Sequence, residues 1–410
     1  MSEKVLDKFI RYAKIDTQSD PKSKTIPSTE KQFDLAKLLV KELKEMGIKD
    51  VELTDECYVY ATIPSNVDGN VPAVGFVCHM DTSPDFNATG VNPQIVENYQ
   101  GGDIQLGESD EYIKENENPG LAKCIGHTIV TTDGKTLLSS DDKSGVSAIM
   151  KMAEILTSDD TIKHGPVKIG FTPDEEIGRG ADKFDIEKFG CEYAYTIDGG
   201  LPGEINKETF SADHAWITVT GNEIHPGEAK DRMVNSIRVI SEIIAKLPKD
   251  MAPETTEGSE PYIHPHELDA RVGKSSLMLL FRDFKSEGLE EQKKIVEKII
   301  AEVQPSFPKA KIDLLVKKSY RNMYDVLTEN PIGLELLYKA ADEVGANPVW
   351  EPIRGGTDGS RLTEMGLPTP NIYTGGQNFH SNKEWLSVDF LELTIETMLK
   401  LVQLWGKEQR

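Results

Sequence analysis

The sequence predicts an α/β fold with a largely parallel sheet, interrupted by an inserted α+β domain. Three observations predict it. Apolar runs at 71–78, 167–172 and 193–198 alternate with amphipathic helical stretches, and runs apolar on both faces are the mark of a parallel sheet covered on both sides. Between about 210 and 321 the texture changes to a shorter strand and helix alternation with half-exposed strands. After 321 the α/β texture resumes. A chain of 410 residues also exceeds what one simple core organises. The domains are therefore 1–209 with 322–410, and the insert 210–321.

Each element has its own signal. In "VLDKFIRYAKI" Val5, Phe9 and Tyr12 share a helical face. "STEKQFDLAKLLVKELKEMG" begins with a Thr29-x-x-Gln32 capping box, carries a stripe of Phe33, Ala36, Val40 and Leu43, and stops at Gly47. The stretch 85–135, rich in Gly, Asn and Glu, reads as loops and short hairpins. After "LLSSDDKSG" a helix presents Val146, Ile149, Met150, Ala153 and Leu156. In the insert, "HAWITVTG", "SSLMLLFRDF" and "AKIDLLVKK" read as strands. The helices between them are "MVNSIRVISEIIAKL", with Ile237, Ile240, Ile244 and Leu247 on its face, and "LEEQKKIVEKIIAEV". This order fits a split βαβ, ferredoxin-like unit. "FLELTIETMLKLVQLWGK" closes the chain as a helix.

Composition excludes several classes of function. A net charge of −23 argues against nucleic acid and against anionic membrane surfaces, which require basic patches. No run approaches the ~18 apolar residues that span a bilayer. The N-terminus lacks the apolar core and cleavage site of a signal peptide, and Cys57, Cys78, Cys124 and Cys191 are far apart and unpatterned. Both features suit free thiols in a cytoplasm.

The chemistry lies at the ends of the apolar runs. "GFVCHMD" ends in His79 and Asp81, "LLSSDDKSG" supplies Asp141, "FTPDEEIG" ends in Glu175 and Glu176, "TIDGG" in Asp198, and "NFHSNKEW" supplies His380. In an open α/β sheet ligands bind beyond the carboxyl ends of the strands, so these segments can converge. So many carboxylates in one cleft repel unless cations sit among them. Two divalent metals sharing a bridging carboxylate resolve that charge, and histidine with carboxylate suits zinc. Asp81, two residues after His79, can orient its imidazole. Of the adjacent Glu175 and Glu176, one can hold metal while the other serves as general base.

These motifs, with "IRGGTDGS", resemble the two-zinc exopeptidase family that holds aminoacylase and succinyl-diaminopimelate desuccinylase. The resemblance runs nearly end to end, and "RGGTDGS" with the aspartate of "TIDGG" narrows it to the tripeptidase branch. It implies a zinc-exopeptidase-like catalytic domain, an inserted lid domain and two Zn2+ per subunit. It makes Asp141 the bridge, often beside a cis peptide to Asp142. His79 and Asp198 then complete one site, and Glu176 and His380 the other. Glu175 is implied as general base and Asp81 as the partner of His79. The implied activity is metallo-aminopeptidase release of the N-terminal residue from tripeptides. A sister activity on the same metal core (dipeptidase, carboxypeptidase or N-acyl amino acid deacylase) is the alternative. An inactive metal-binding regulatory or scaffold protein is the alternative of another class, and Glu175 argues against it.

The implied partners are small peptides with a free N-terminus, with a homodimer and a monomer both open. In the insert, the resemblance implies that His225 of "EIHPGE" polarises the scissile carbonyl. It places Asn235 where relatives contact substrate, and a helix-start residue is the competing reading. Arg354, next to two glycines, is the better guanidinium for clamping a peptide carboxylate. Arg282 is the second candidate, with a salt bridge to Asp283 as its competing reading.

Overall fold

The apolar run ending in His79 forms the strand Val74–His79, and all six of its residues are buried. A strand apolar on both faces demands such burial. The structure, a computed structural model, describes residues 3–408. It divides into two compact units. The first takes in the chain up to Lys207, Asp325–Glu351 and the stretch from Thr357 onward. The second is Glu208–Tyr324 with Pro352–Gly356.

The first unit is built on a six-stranded sheet in the order Asp50–Leu53, Val59–Ile63, Val167–Thr172, Val74–His79, Tyr193–Gly199 and Asn371–Tyr373. The last four run parallel, and the first two join them antiparallel. The sheet is thus mixed, its four parallel strands running to one edge and Val59–Ile63 antiparallel to both of its neighbours. His79 lies beside Thr172 and Val77 beside Thr196 in register, so the polar ends of neighbouring strands open at one edge.

The helix Ser140–Ser158 packs on this sheet, and its stripe of Val146, Ile149, Met150, Ala153 and Leu156 is fully covered. Burying each of the four larger side chains contributes about 1.5–3 kcal/mol. Beside it the C-terminal helix Val388–Trp405 buries Leu391, Met398 and Leu401. The stretch 85–135 contributes Gln94–Val96 and Ile129–Thr131 to a small sheet with Trp385–Ser387 and Gly376–Gln377. That sheet carries the turn bearing His380.

Two local expectations are corrected here. The capping box at Thr29 does not form: the helix begins at Gln32, and the Thr29 hydroxyl donates to Gln18 O at 2.8 Å. Its buried stripe is Leu35, Ala36, Leu39 and Leu43, leaving Phe33 and Val40 half-buried. Gly47 does end the helix, at a φ of 87° that suits glycine.

The second unit has four antiparallel strands in the order Tyr262–Ala270, Lys274–Asp283, Ser211–Thr220 and Lys311–Tyr320. Two helices, Ser236–Ala245 and Ser286–Val303, pack against the sheet. With its β-α-β-β-α-β order this is the ferredoxin-like arrangement. The strand Tyr262–Ala270 is absent from the sequence reading, because it contains Pro265 and is mostly exposed, as an edge strand permits. The first helix is rotated from its expected face. It buries Val239, Ile240 and Ile243, while Ile237 is 37% exposed.

Candidate metal centre

Five chain segments of the first unit bring their side chains to one sheet edge. His79, the last residue of its strand, places Nε2 2.9 Å from Asp141 Oδ1 and 3.9 Å from Asp198 Oδ1. His380 places Nε2 3.2 Å from Asp141 Oδ2 and 2.8 Å from Glu176 Oε2. Two clusters result, His79–Asp141–Asp198 and Asp141–Glu176–His380, each with its ligand atoms within 4.8 Å of one another. Asp141 belongs to both, one oxygen facing each histidine. Glu175 belongs to neither, with its Oε2 4.0 Å from His79 Nε2.

The backbone around these groups is held by buried polar side chains. Asp81 accepts from the N–H of Glu175 at 2.9 Å and of Glu176 at 3.3 Å. Its contact with His79 runs chiefly through the backbone carbonyl, 3.0 Å from Nδ1, while its carboxylate lies at 3.5 Å. The strand ends at His79, so the i, i+2 geometry expected of Asp81 no longer applies there. Asp142 accepts from the N–H of His79 at 3.3 Å and of Gly145 at 3.1 Å, and the Asp141–Asp142 peptide is cis. Asn371 receives the Asp198 N–H at 3.2 Å and returns its amide to the Asp198 carbonyl at 3.0 Å.

Three residues of this support escape sequence reasoning: Asn371, Glu384 and Asp358. Glu384 is buried against the Asp141 turn, and Asp358 accepts from the Thr172 hydroxyl at 2.6 Å. Glu384 and Asp358 lie inside the quoted "NFHSNKEW" and "RGGTDGS", which was the only signal available for them.

The crowding of like charges shows in the proton affinities. Burial and the charge of Asp142 hold Asp198 well above the usual carboxylate range. Burial and Asp141 push Glu176 up to about 8. Glu175 is raised by burial and by Asp198. Asp141 moves the other way despite its burial, because hydrogen bonds from His380 and His79 favour its charge. Burial alone would lower His380, yet its bonds to Asp141 and Glu176 push it up to about 12. Two imidazoles and three carboxylates around two points form a donor set for divalent cations. One atom supports the fit directly. Glu176 Oε1 is a buried acceptor without a hydrogen-bond partner, and a cation offsets its desolvation.

The remaining candidates lie in the second unit. His225 is exposed, and its Nδ1 accepts from the Gly227 N–H at 3.1 Å, which leaves the proton of the neutral ring on Nε2. Asn235 is the helix N-cap, its Oδ1 accepting from the Ile237 N–H at 3.0 Å. Arg354, expected to be a carboxylate clamp, is engaged otherwise. It donates to Gly258 O at 2.7 Å, Glu260 O at 3.1 Å and Thr256 Oγ1 at 2.8 Å, and lies over the Phe210 and Tyr262 rings. These contacts make it an anchor of the 256–260 loop. Arg282 makes no ion pair with Asp283, since neighbours on a strand point to opposite faces. It donates to the Phe281 carbonyl at 3.0 Å and lies over the Tyr320 ring.

Among the described residues no helix is long and apolar enough to cross a membrane, and all four cysteines are free. A model of peptidase family M20/M25/M40 matches residues 139–404. A peptidase T of Clostridium acetobutylicum is 45% identical over 407 residues, covering 99% of this chain and 100% of that one. Among solved structures, an aminopeptidase PepT of Bacillus cereus aligns with a TM-score of 0.74 at 21% identity, covering 99% of each chain. A tripeptidase of Staphylococcus aureus aligns with a TM-score of 0.75 at 18% identity, covering 100% of this chain and 99% of that one. A dinuclear metal-binding M20 peptidase of Bacillus subtilis aligns with a TM-score of 0.64 at 14% identity, covering 98% and 97%.

Proposed function

The chain belongs to peptidase family M20/M25/M40, and on that premise we propose that it is a zinc-dependent aminopeptidase releasing the N-terminal residue of tripeptides. The observation that carries this reading is the pair of clusters sharing Asp141, with the unliganded Glu175 beside them. His79, Asp141 and Asp198 would hold one ion, and Asp141, Glu176 and His380 the other. When bound, the ion pair supplies Lewis acidity, lowering the pKa of water toward neutrality and drawing charge from the scissile carbonyl. Glu175 takes the proton from the attacking water and returns it to the leaving amine.

The second unit is proposed to act as a lid. His225, with its proton on Nε2, donates to the carbonyl oxygen as charge develops there. Asn235, a helix cap by its contacts, contacts substrate in addition. With Arg354 engaged by the 256–260 loop, Arg282 receives the peptide's C-terminal carboxylate. Closure of the lid would exclude water, so scattering profiles with and without a peptide inhibitor should differ. Superimposable profiles would remove the closing motion.

The decisive experiment is product analysis with zinc. The substrates are a free tripeptide, its N-acetyl form, its C-terminal amide, and the matching dipeptide and tetrapeptide. Release of the N-terminal residue from the free tripeptide alone, abolished by a chelator, is expected. Release from the other end, or loss of the acetyl group, would move the protein to a sister activity on the same metal core. In the same assay Arg282→Ala should raise KM for the free tripeptide. An unchanged KM would take Arg282 out of the carboxylate role.

A further inference from the structure

Glu384 is fully buried and has none of the roles assigned above. Its carboxylate gathers four donors: the N–H groups of Leu138 at 2.6 Å, Ser139 at 3.0 Å and Asp141 at 3.0 Å, and the Ser140 hydroxyl at 2.5 Å. Ser139 takes a left-handed φ of 68°, and successive N–H groups in such a turn converge to form an anion-binding nest. Only an acceptor satisfies this nest throughout. The amide of a glutamine would set an NH2 against at least one donor.

At its other end Glu384 closes the turn that carries His380. His380 sits at a φ of 61°. Around it the Ser381 hydroxyl donates to Asn378 O at 2.7 Å, and the Asn378 amide donates to Lys383 O at 3.0 Å. Immediately after Glu384, Trp385 pairs with Thr131 in the small sheet. One carboxylate therefore ties together two backbone segments 243 residues apart, one bearing Asp141 and the other His380.

We propose that Glu384 is a positioning residue that sets the separation of Asp141 and His380, and with it the affinity of the Asp141–Glu176–His380 cluster for its ion. This rests on the two-metal reading above. The other cluster depends on Glu384 less. His79 is fixed by its strand and Asp198 by Asn371, so only the shared Asp141 is touched. Loss of Glu384 disturbs two ligands of one cluster and one of the other, and the two ions should separate in affinity.

The test uses the full chain as Glu384→Gln, Glu384→Asp and Ser140→Ala. Zinc per chain is measured across buffered free-zinc concentrations, with thermal unfolding of each variant alongside. The expected result is two ions in the parent. In Glu384→Gln one ion should bind near parental affinity and the other about 10–100-fold more weakly, with kcat recovering as zinc is added and KM unchanged. Glu384→Asp keeps the acceptor and should recover part of the loss. Ser140→Ala removes a single donor and should shift the same ion in the same direction by less. Two ions at parental affinity in Glu384→Gln would overturn the proposal. So would equal weakening of both ions in step with a fall in Tm, since that marks support of the fold alone. If Glu384→Gln does not fold, Ser140→Ala decides by the same comparison. A parent that binds fewer than two ions would overturn the two-metal reading itself, and the proposal with it.

Discussion

Glu175 and Glu176 are adjacent in the chain and differ in company. Glu176 reaches His380 at 2.8 Å, while Glu175 stands 4.0 Å from His79 and joins neither cluster. A half-buried carboxylate beside two clusters of ligand-type groups, belonging to neither, is placed to move a proton. Glu175→Ala should accordingly keep both ions and lose about 10²–10⁴-fold in kcat. Metal counts paired with rates check this, and a variant that lost its ions would make Glu175 a ligand instead. The clustering of His79, Asp141, Glu176, Asp198 and His380 was legible because their segments lie at or beyond the ends of strands and helices on one sheet, where a parallel sheet must expose something. Asn371 and Glu384 were not. Their roles lie in which backbone groups they meet, and turns such as the one at Ser139 set that in three dimensions. The contacts of Arg354 with the 256–260 loop were not legible for a related reason: flanking glycines say that a backbone is approachable and nothing about where the guanidinium finds its acceptors.

At the scale of elements, the loop bearing the two glutamates is held from the side by the helix Asp358–Glu364. Arg361 of that helix bonds Asp182 at 2.9 Å. Asp358 itself lies where a Cβ on Gly180 would fall, 2.2 Å from its Oδ1 and 2.4 Å from Oδ2. Asp358 has little room to give way, being pinned by the Thr172 hydroxyl at 2.6 Å. Gly180→Ala must therefore push the loop, and Glu175 with it. Overpacking of this kind costs about 1–3 kcal/mol. A fall of roughly tenfold or more in kcat/KM is expected, since small displacements of catalytic groups are costly. Parental activity would show that the loop relaxes freely. Elements were legible where periodicity was strong, as in the helix Ser140–Ser158. They were misread where a single cap set the rotation, as Asn235 does for Ser236–Ala245. They were missed where an exposed edge strand carried no apolar pattern, as in Tyr262–Ala270.

At the scale of the whole molecule, the change of texture near 210 was visible in the sequence. The return of Pro352–Gly356 to the second unit was not, because it depends on contacts such as those of Arg354 with the 256–260 loop. The second unit has a core of its own, in which Ile217, Val239, Leu279, Phe281 and Val296 are buried together. Every proposed metal ligand belongs to the first unit. An ion that binds only the native state stabilises whatever unfolds with its site, by about 4 kcal/mol at a thousandfold excess over Kd. With two such ions contributing about 8 kcal/mol together, and at roughly 2 °C per kcal/mol for a unit of this size, chelation should lower the first unit's transition by roughly 15 °C. The second unit holds none of these ligands, so its transition should stay where it was. Calorimetry with and without a chelator should therefore show two transitions, of which only one moves. A single transition that shifts as a whole would mean that the two cores unfold together, and that the metal centre stabilises both.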